Sequence, residues 1–280
     1  MSKYLIGIGD SFTQGQGSVS RKFYAKYGDR VYHHDTKIPG IIDEENLNSW
    51  VTHVATKIGY TPINLGSSGK GNRSAAKELY MNKIDADSDK IVVFCLSGMS
   101  RFDFVVKDAG ISRDHFTPIF PEMSGNKLWQ GYAEFGNSVQ QEAIDCLLNI
   151  AEVQNWCKVN NAKLLLVSAF DLAIDEQSIS DRIFVESKKY LKDIVDWDLF
   201  CRPRGNRTIM ELLVREQESG LEEDQLQPIY GFEYFNRYKK EGFAEGLITP
   251  CGHPSNTGHM FLSDVLADEI RGRGYVNQGE

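Results

Sequence analysis

Short apolar runs without polar alternation constrain the fold of this 280-residue chain more than any other feature. Strands of this kind bury both faces, as they do in a parallel sheet that carries helices on either side. Four runs bounded by turn-forming residues are predicted as buried strands, at Tyr4–Ile8, Thr61–Leu65, Ile91–Leu96 and Leu164–Ser168. A fifth strand is expected in Ile194–Phe200.

Segments with helical spacing separate these runs. Helices are predicted from Leu47 to Ile58 with a stop at Gly59, and over Ser74–Asn82, Glu134–Val159 and Asn256–Arg271. Strands that alternate with helices indicate an α/β protein. We therefore expect a three-layer α/β/α fold around a central, mainly parallel sheet of about five strands.

Three regions interrupt the alternating pattern. They lie near residues 15–45, 101–131 and 171–246, and each is rich in turn-forming, aromatic or charged residues. The sequence has no internal repeat and no low-complexity segment. We expect one domain over residues 1–280, with these regions as insertions.

Charge and cysteine content exclude several functional classes. The formal net charge of −8 disfavours binding to nucleic acid or to an anionic membrane. The five cysteines are scattered and form no CxxC pair, so neither a zinc ribbon nor a disulfide framework is indicated. With no visible signal peptide and no run of about 18 apolar residues, we expect a cytoplasmic location.

A serine follows the first predicted strand directly. Gly9-Asp10-Ser11 comes after the strand, and glycines and glutamines follow. Ligand sites of parallel α/β sheets lie beyond the carboxyl ends of the strands, so the position of Ser11 is consistent with a catalytic role. A serine nucleophile needs a base within hydrogen-bond reach and donors for the developing oxyanion.

The base must be one of six histidines. His253 is the best placed, because Pro254 ends regular structure there and leaves the imidazole on a loop before the final helix. His259 lies in the first turns of that helix, where a packing or capping role is expected. The others are expected to be surface residues: His33, His34, His53 and His115.

Three blocks of the sequence resemble the SGNH hydrolases, a family of serine esterases and lipases. Gly9–Phe12 resembles the family's GDSL-type signature, Asn64–Gly69 is similar to its second block, and His253–His259 to its last. The blocks occur in the family's order over almost the whole chain. The resemblance implies a flavodoxin-like SGNH hydrolase fold and ester hydrolysis.

The resemblance also implies roles for individual residues. Ser11 would be the nucleophile, and His253 the general base and then the general acid. The backbone N–H groups of Ser11 and Gly69 would be oxyanion donors, while Gly69 would also suit a turn of positive φ. Asp10 and Gly9 would order the turn around the serine.

The third block departs from the family pattern. The family ends this strand with Gly-x-Asn, whose side chain is a further oxyanion donor, and the aligned residue here is Ser100. Loss of one such donor costs roughly 3–4 kcal/mol of transition-state stabilisation. The Ser100 hydroxyl is one possible replacement, and Asn72 and Arg101 are others from nearby.

The acid of the catalytic triad is also missing from its usual position. The family places an aspartate three residues before the histidine, where this chain has Pro250. Glu241 and Glu245 precede it at the wrong spacing. Either a backbone carbonyl orients the histidine, giving a Ser–His dyad, or an acid from elsewhere does so, such as Asp171 or Asp175.

Two functions remain open from the sequence. The first is a serine hydrolase that cleaves an acyl or acetyl ester of a small molecule or carbohydrate. The second is a catalytically impaired SGNH-like domain that binds glycan or protein. The ending of the third block resembles SGNH-like proteins of tailed phages, so the second function would suit a phage structural or accessory protein, and a phage-encoded chain would be virion-associated.

No cofactor or metal is expected. Gly66–Gly71 is glycine-rich but lacks the spacing of a phosphate-binding loop. The adjacent residues His33-His34-Asp35 are a poor metal site, because neighbouring loop histidines rarely converge on one ion. The expected partner is the ester substrate, with no nucleic acid or membrane, and the oligomeric state stays open.

Overall fold

The computed structural model describes most of the chain. The described residues are 1–33, 35–99, 102–106, 115–119, 138–171, 174, 176, 179, 194–228, 237–238 and 242–276.

Helices separate the described strands of the central sheet along the chain. In order, the described strands and helices are β1 (Lys3–Gly9), α1 (Ser11–Gln14), α2 (Arg21–Tyr27), α3 (Ile41–Leu47), α4 (Trp50–Ile58), β2 (Thr61–Asn64), α5 (Asn72–Met81), β3 (Asp89–Leu96), β4 (Phe102–Val106), β5 (His115–Ile119), α6 (Val139–Val159), β6 (Ala162–Ser168), α7 (Ile209–Gln217), α8 (Glu223–Pro228) and α9 (Asn256–Gly272). Short 3₁₀ helices lie at Gly28–His33, Trp197–Leu199 and Pro203–Gly205.

A parallel sheet with the strand order β2-β1-β3-β6 forms the centre of the fold. Ile6 of β1 stands opposite Ile63 and Val92, and Val92 stands opposite Leu164. The predicted α/β class and the four predicted strands are confirmed. The ends of these strands define two edges, which we call the carboxyl edge and the amino edge.

Helices cover both faces of the sheet. Successive residues of β3 alternate between the two layers: Val93 packs in the cluster that contains α4 and α9, and Val92 and Phe94 in the cluster that contains α5 and α6. The central residues of β1, β3 and β6 are buried on both faces, whereas Thr61 and Pro62 at the start of the edge strand β2 are exposed. This double burial explains why the strands read as continuous apolar runs and confirms the three layers.

The predicted fifth strand, Ile194–Phe200, is wrong. The segment contains the 3₁₀ helix Trp197–Leu199, and its link to the sheet is one bridge between Phe200 and Leu166. Local hydrogen bonds replace strand pairing, because Asp198 N–H donates to the Asp196 side chain at 3.1 Å. The sheet in the described residues therefore has four strands where about five were expected.

The predicted helix from Leu47 to Ile58 is divided in two. Ser49 caps the start of α4 by accepting from Thr52 N–H, and Gly59 ends it at a φ of +72°. Leu47 instead ends α3 and is 63% exposed. The apolar spacing correctly predicts α4, but it extends the helix back beyond the serine that caps its start.

The three regions expected to be insertions contain helices or strands in their described parts. Residues 15–45 include α2 and α3 around a small apolar cluster made by Val19, Val31, Tyr32, Ile38 and Ile41. The second region contains an antiparallel pair of strands, β4 and β5. The third includes α7, and most of the aromatic stretch near its end lies outside the described residues. No helix in the described ranges is long and apolar enough to cross a membrane.

The amino edge carries a concavity of about 800 Å³. A carboxylate, Asp89, lies at its wall, where it accepts hydrogen bonds from the Tyr60 hydroxyl and from Lys163 Nζ, the latter at 3.1 Å. Lys163 Nζ also donates to the Tyr275 carbonyl at 2.7 Å. A charged pair therefore ties the start of β3 to β6 and to the segment after α9.

Candidate active site

Ser11 is the first residue of α1, immediately beyond the carboxyl end of β1. Asp10 caps this short helix, with its side chain accepting from Phe12 N–H at 3.0 Å. Gly9 has a φ of +153°, and a Cβ placed there would lie 2.3 Å from Thr13 Oγ1 and 2.5 Å from the Cys95 carbonyl oxygen. The backbone therefore turns sharply at a position where only glycine fits.

His253 is held in a turn just before α9. Its N–H donates to Thr249 Oγ1 at 3.1 Å, and its carbonyl accepts from Thr249 N–H at 2.8 Å. Gly252 allows the turn with a φ of +78°. Ser255 then caps α9 by accepting from Gly258 N–H at 3.0 Å.

The structure brings Ser11 and His253 together across 242 residues of sequence. His253 Nε2 lies 2.8 Å from Ser11 Oγ, which is within hydrogen-bond distance. The ring of Phe12 packs beside the imidazole, with centroids 5.3 Å apart. Such a contact lets the imidazole accept the serine proton.

A backbone carbonyl lies at the other ring nitrogen of His253. Nδ1 is 3.1 Å from the Cys251 carbonyl oxygen and 3.3 Å from Cys251 Sγ. When Nε2 accepts the proton of Ser11, Nδ1 carries a hydrogen and donates it to that carbonyl. A backbone carbonyl, the first of the two partners considered from the sequence, is therefore within reach of Nδ1.

The structure describes two of the four acids considered from the sequence, Asp171 and Glu245. Asp171 Oδ2 accepts from Met99 N–H at 2.9 Å, in the loop that follows β6. Glu245 is exposed and pairs with an arginine on the surface. Asp175 and Glu241 lie outside the described residues.

Apart from Ser11, two of the residues predicted as oxyanion donors lie in the described part of the chain, Gly69 and Asn72. Gly69 lies in the loop between β2 and α5 with a φ of +79°. Asn72 starts α5, and its side chain accepts from Ser97 N–H at 2.8 Å and donates to the Ser97 carbonyl at 3.2 Å. The Asn72 amide thus fixes the end of β3. Ser100 and Arg101 lie outside the described residues.

Two glutamines fasten the Gly69 loop to the segment that contains the nucleophile. Ser68 N–H donates to Gln14 Oε1 at 2.5 Å, and Ser68 Oγ donates to Gln16 Oε1 at 2.6 Å. A Cβ added at Gly66 would lie 2.4 Å from the backbone nitrogen of Gln14, so the two segments are in close contact. Neither glutamine is predicted as a site residue from the sequence, although both lie just after the serine motif.

A buried carboxylate lies behind these contacts. Glu45 of α3 is fully buried and accepts from Gln14 Nε2 at 2.7 Å and from Gly17 N–H at 2.9 Å. Burial raises the pKa of this carboxyl to about 7, against the opposite effect of the two hydrogen bonds. No short-range sequence signal identifies Glu45, because its partners lie about 30 residues away in sequence.

The remaining histidines have other positions. His259 is fully buried, and its Nδ1 accepts from Trp50 N–H at the start of α4 at 3.1 Å. Burial lowers its pKa to about 3, so this imidazole is neutral and acts as a helix cap. His33 is exposed at the end of a 3₁₀ helix, and burial lowers the pKa of His53 on α4. His34 lies outside the described residues, as does the side chain of His115.

Comparisons with known proteins give similarity of fold at low sequence identity. No protein-family model matches the sequence, and no curated protein matches it. A solved structure described as a lipolytic protein of the G-D-S-L family, from Desulfitobacterium hafniense DCB-2, is 12% identical with a TM-score of 0.43, over 95% of this chain and 99% of that chain.

Two carbohydrate esterases are similar to the same extent. The acetyl xylan esterase Est2A from the rumen bacterium Butyrivibrio proteoclasticus is 12% identical with a TM-score of 0.47, over 99% of this chain. A family two carbohydrate esterase from Clostridium thermocellum, solved with cellohexaose, is 12% identical with a TM-score of 0.42, over 98% of this chain. The matches span 65% of the length of each esterase chain. At these scores the likeness concerns the fold alone, and the chemistry must come from the residues of this chain.

Proposed function

We propose that this protein is an SGNH-type serine esterase with Ser11 as nucleophile and His253 as base. The observation that supports it most directly is the 2.8 Å contact between Ser11 Oγ and His253 Nε2 at the carboxyl edge of the sheet. Ester hydrolysis requires this pair together with donors for the oxyanion.

In the proposed mechanism, Ser11 Oγ attacks the carbonyl carbon of the ester while His253 Nε2 takes its proton. The carbonyl oxygen becomes an oxyanion, which the N–H groups of Ser11 and Gly69 stabilise. The intermediate collapses to an acyl-enzyme as His253 protonates the leaving alcohol. Water then attacks the acyl group with His253 again as base, which releases the acid and restores Ser11.

The Cys251 carbonyl would stabilise the imidazolium that forms on His253. It lies 3.1 Å from Nδ1 and can accept the Nδ1 hydrogen in both protonation states of the ring. A carbonyl dipole stabilises a positive charge less than a carboxylate does. The site would therefore function as a Ser–His dyad oriented by the backbone.

Acetyl and other short acyl esters of carbohydrates are the substrate class that we propose to test first. The experiment measures release of p-nitrophenol from p-nitrophenyl acetate and of acetate from acetylated xylan, with the wild type and Ser11→Ala. Turnover by the wild type that Ser11→Ala abolishes supports the proposal, and equal rates overturn it. Absence of turnover together with glycan binding that survives Ser11→Ala would favour the binding-module alternative.

A further inference from the structure

The buried carboxylate of Glu45 contacts α1, which begins with the proposed nucleophile, and the turn that follows this helix. One oxygen accepts from Gln14 Nε2 and the other from Gly17 N–H. Gln14 lies three residues after Ser11 in α1, and Gly17 lies in the turn that follows α1. The two donors are neutral, so the buried carboxylate faces amides rather than a cation.

The Gln14 amide links Glu45 to the loop between β2 and α5, which contains Gly69. Its Nε2 donates to Glu45 at 2.7 Å, and its Oε1 accepts from Ser68 N–H at 2.5 Å. A carboxylate can only accept and a peptide N–H can only donate, so these two neighbours fix the orientation of the amide. Ser68 directly precedes Gly69, and the same contact therefore fixes the peptide next to the proposed oxyanion donor.

The second oxygen of Glu45 supports the side of the site that contains the base. Gly17 has a φ of +77°, and a Cβ added there would lie 3.2 Å from Cys251 Sγ. The Cys251 carbonyl in turn faces His253 Nδ1 at 3.1 Å. Glu45 thus holds the turn that contains Gly17, and this turn packs against Cys251, whose carbonyl faces the histidine.

We propose that Glu45 is a positioning residue of the esterase site, which acts through Gln14 to hold the Ser68–Gly69 peptide segment in the orientation that stabilises the oxyanion. This inference rests on the proposed function and adds a residue that the serine, histidine and glycine motifs do not contain. Glu45 touches no reacting atom in the mechanism, so its effect is indirect.

The chemistry requires a carboxylate rather than a polar side chain of similar shape. The two donors contact different oxygens of Glu45, and a glutamine has only one oxygen. In Glu45→Gln the new NH₂ group would face a donor, either Gln14 Nε2 or Gly17 N–H. If the Gln14 amide rotates to relieve the first conflict, its NH₂ then faces Ser68 N–H.

The titratable neighbour of Glu45 on the segment before α9 is Cys251. Burial raises the pKa of this thiol to about 11, so it stays neutral over the range in which Glu45 ionises. The contacts from α1 and the following turn come from Gln14 and Gly17, which do not titrate. Among Glu45 and these direct neighbours, a change of charge near neutral pH therefore belongs to Glu45 itself.

The experiment compares Glu45→Gln with Glu44→Gln in the full chain, using p-nitrophenyl acetate at about pH 8. Glu44 is the matched control, because it lies on the same helix and accepts from Ser20 N–H at 2.9 Å, away from Gln14. We expect Glu45→Gln to lower kcat about 10- to 100-fold with KM within about twofold, since displacement of one oxyanion donor costs less than its removal. Glu44→Gln is expected to keep the wild-type kcat.

The melting temperature, measured on the same samples, separates positioning from structural support. Because Glu45→Gln removes a buried charge, we expect its melting temperature at about pH 8 to be no lower than that of the wild type. Equal kcat for the two variants overturns this inference alone. Loss of activity only in proportion to the unfolded fraction also overturns it, and a wild type without Ser11-dependent turnover overturns the proposed function and this inference together.

Gln14→Glu provides a second test with a pH signature. The carboxyl that this substitution introduces can, when protonated, donate to Glu45 and still accept from Ser68 N–H. The arrangement is therefore restored only while the two carboxyls share a proton. We expect the ratio of Gln14→Glu to wild-type kcat to be highest near about pH 6 and to fall as the pH rises to about 9, when both carboxyls ionise. A ratio that does not change with pH contradicts the inference even if Glu45→Gln fails to fold.

Discussion

The two edges of the sheet each hold a carboxylate, but in opposite electrostatic settings. At the amino edge, Asp89 faces Lys163, and although burial raises its pKa, hydrogen bonds from Tyr60 and Lys163 outweigh burial and lower it. At the carboxyl edge, Glu45 faces two neutral amides, and burial raises its pKa to about 7. The surroundings of Asp89 stabilise its ionised form, whereas burial disfavours the ionised form of Glu45.

This difference indicates what each edge contributes. A carboxylate paired with a lysine holds strands together at modest cost, and the amino edge uses it for that purpose. A buried carboxylate with neutral partners lowers the free energy of unfolding. We expect such a residue to be retained where the geometry of a site matters more than stability. The carboxyl edge, with Ser11 and His253, is where the proposed chemistry needs that geometry.

The largest expected effect is the loss of kcat on substitution at the carboxyl edge, where the proposed catalytic residues lie. Replacement of Ser11 or His253 by alanine should lower kcat by about 10⁴- to 10⁶-fold, because each removes a partner of the proton transfer. Asp89→Asn at the amino edge should leave kcat within about twofold. Steady-state hydrolysis of p-nitrophenyl acetate measures all three, and a comparable loss in Asp89→Asn would contradict the assignment of separate roles.

The cost of adding a side chain at a glycine should also differ between the two edges. Gly9→Ala introduces a Cβ 2.3 Å from Thr13 Oγ1 and 2.5 Å from a backbone oxygen, and we expect it to lower the free energy of unfolding by about 3 kcal/mol or more. Gly274 lines the amino-edge concavity at a φ of +68°, and in the described part of the chain no heavy atom lies within 4 Å of a Cβ added there. Gly274→Ala should therefore cost only about 1 kcal/mol from its backbone conformation. Urea denaturation measures both, and equal costs would show that contact at Gly9 is relieved.

The pH dependence of stability should separate Glu45 from Asp89. The folded-state pKa of Glu45 is raised from 4.5 to about 7, so the folded chain binds more protons in this range and its stability falls as the pH rises through it. The corresponding free energy is about 3 kcal/mol. Glu45→Gln should lose this dependence, so its unfolding free energy relative to the wild type should rise between about pH 4.5 and about pH 7. Parallel curves for the two proteins would contradict a raised pKa.

The smallest effect is expected at Asp89. Its pKa is lowered in the folded state, so its contribution is present above the ordinary value of 3.8 and is lost as the pH falls below that value. Because the pair with Lys163 is partly exposed, Asp89→Asn should cost about 1 kcal/mol or less near neutral pH. Urea denaturation at about pH 7 and about pH 3 measures this difference, which should be smaller at the lower pH. A cost that is the same at both pH values would point to hydrogen bonding rather than charge.

Much of the fold could be predicted because its signals are local. Strands buried on both faces read as apolar runs, and serine and glycine caps mark the ends of α4. The failures also have local causes. Asp196 diverts a backbone donor from strand pairing, and Ser49 starts a new helix where the apolar spacing continues back to Leu47.

The candidate site divides in the same way. Motif residues such as Ser11 and His253 are visible in the sequence, and the structure brings them within hydrogen-bond distance. The carbonyl of Cys251 could not be selected in advance, because every residue has one and only the turn geometry determines which faces the histidine. Glu45 and Gln14 are common polar residues whose contacts depend on the packing of α3 against α1.

The contact between His259 and Trp50 has a consequence for folding. It joins α9 to the start of α4 across 209 residues, and His253 lies on the turn just before α9. Ser11 precedes its proposed base by 242 residues, and the base reaches it only when α9 docks. A reagent that labels activated serines would therefore count the molecules in which α9 has docked, and would leave the others unlabelled.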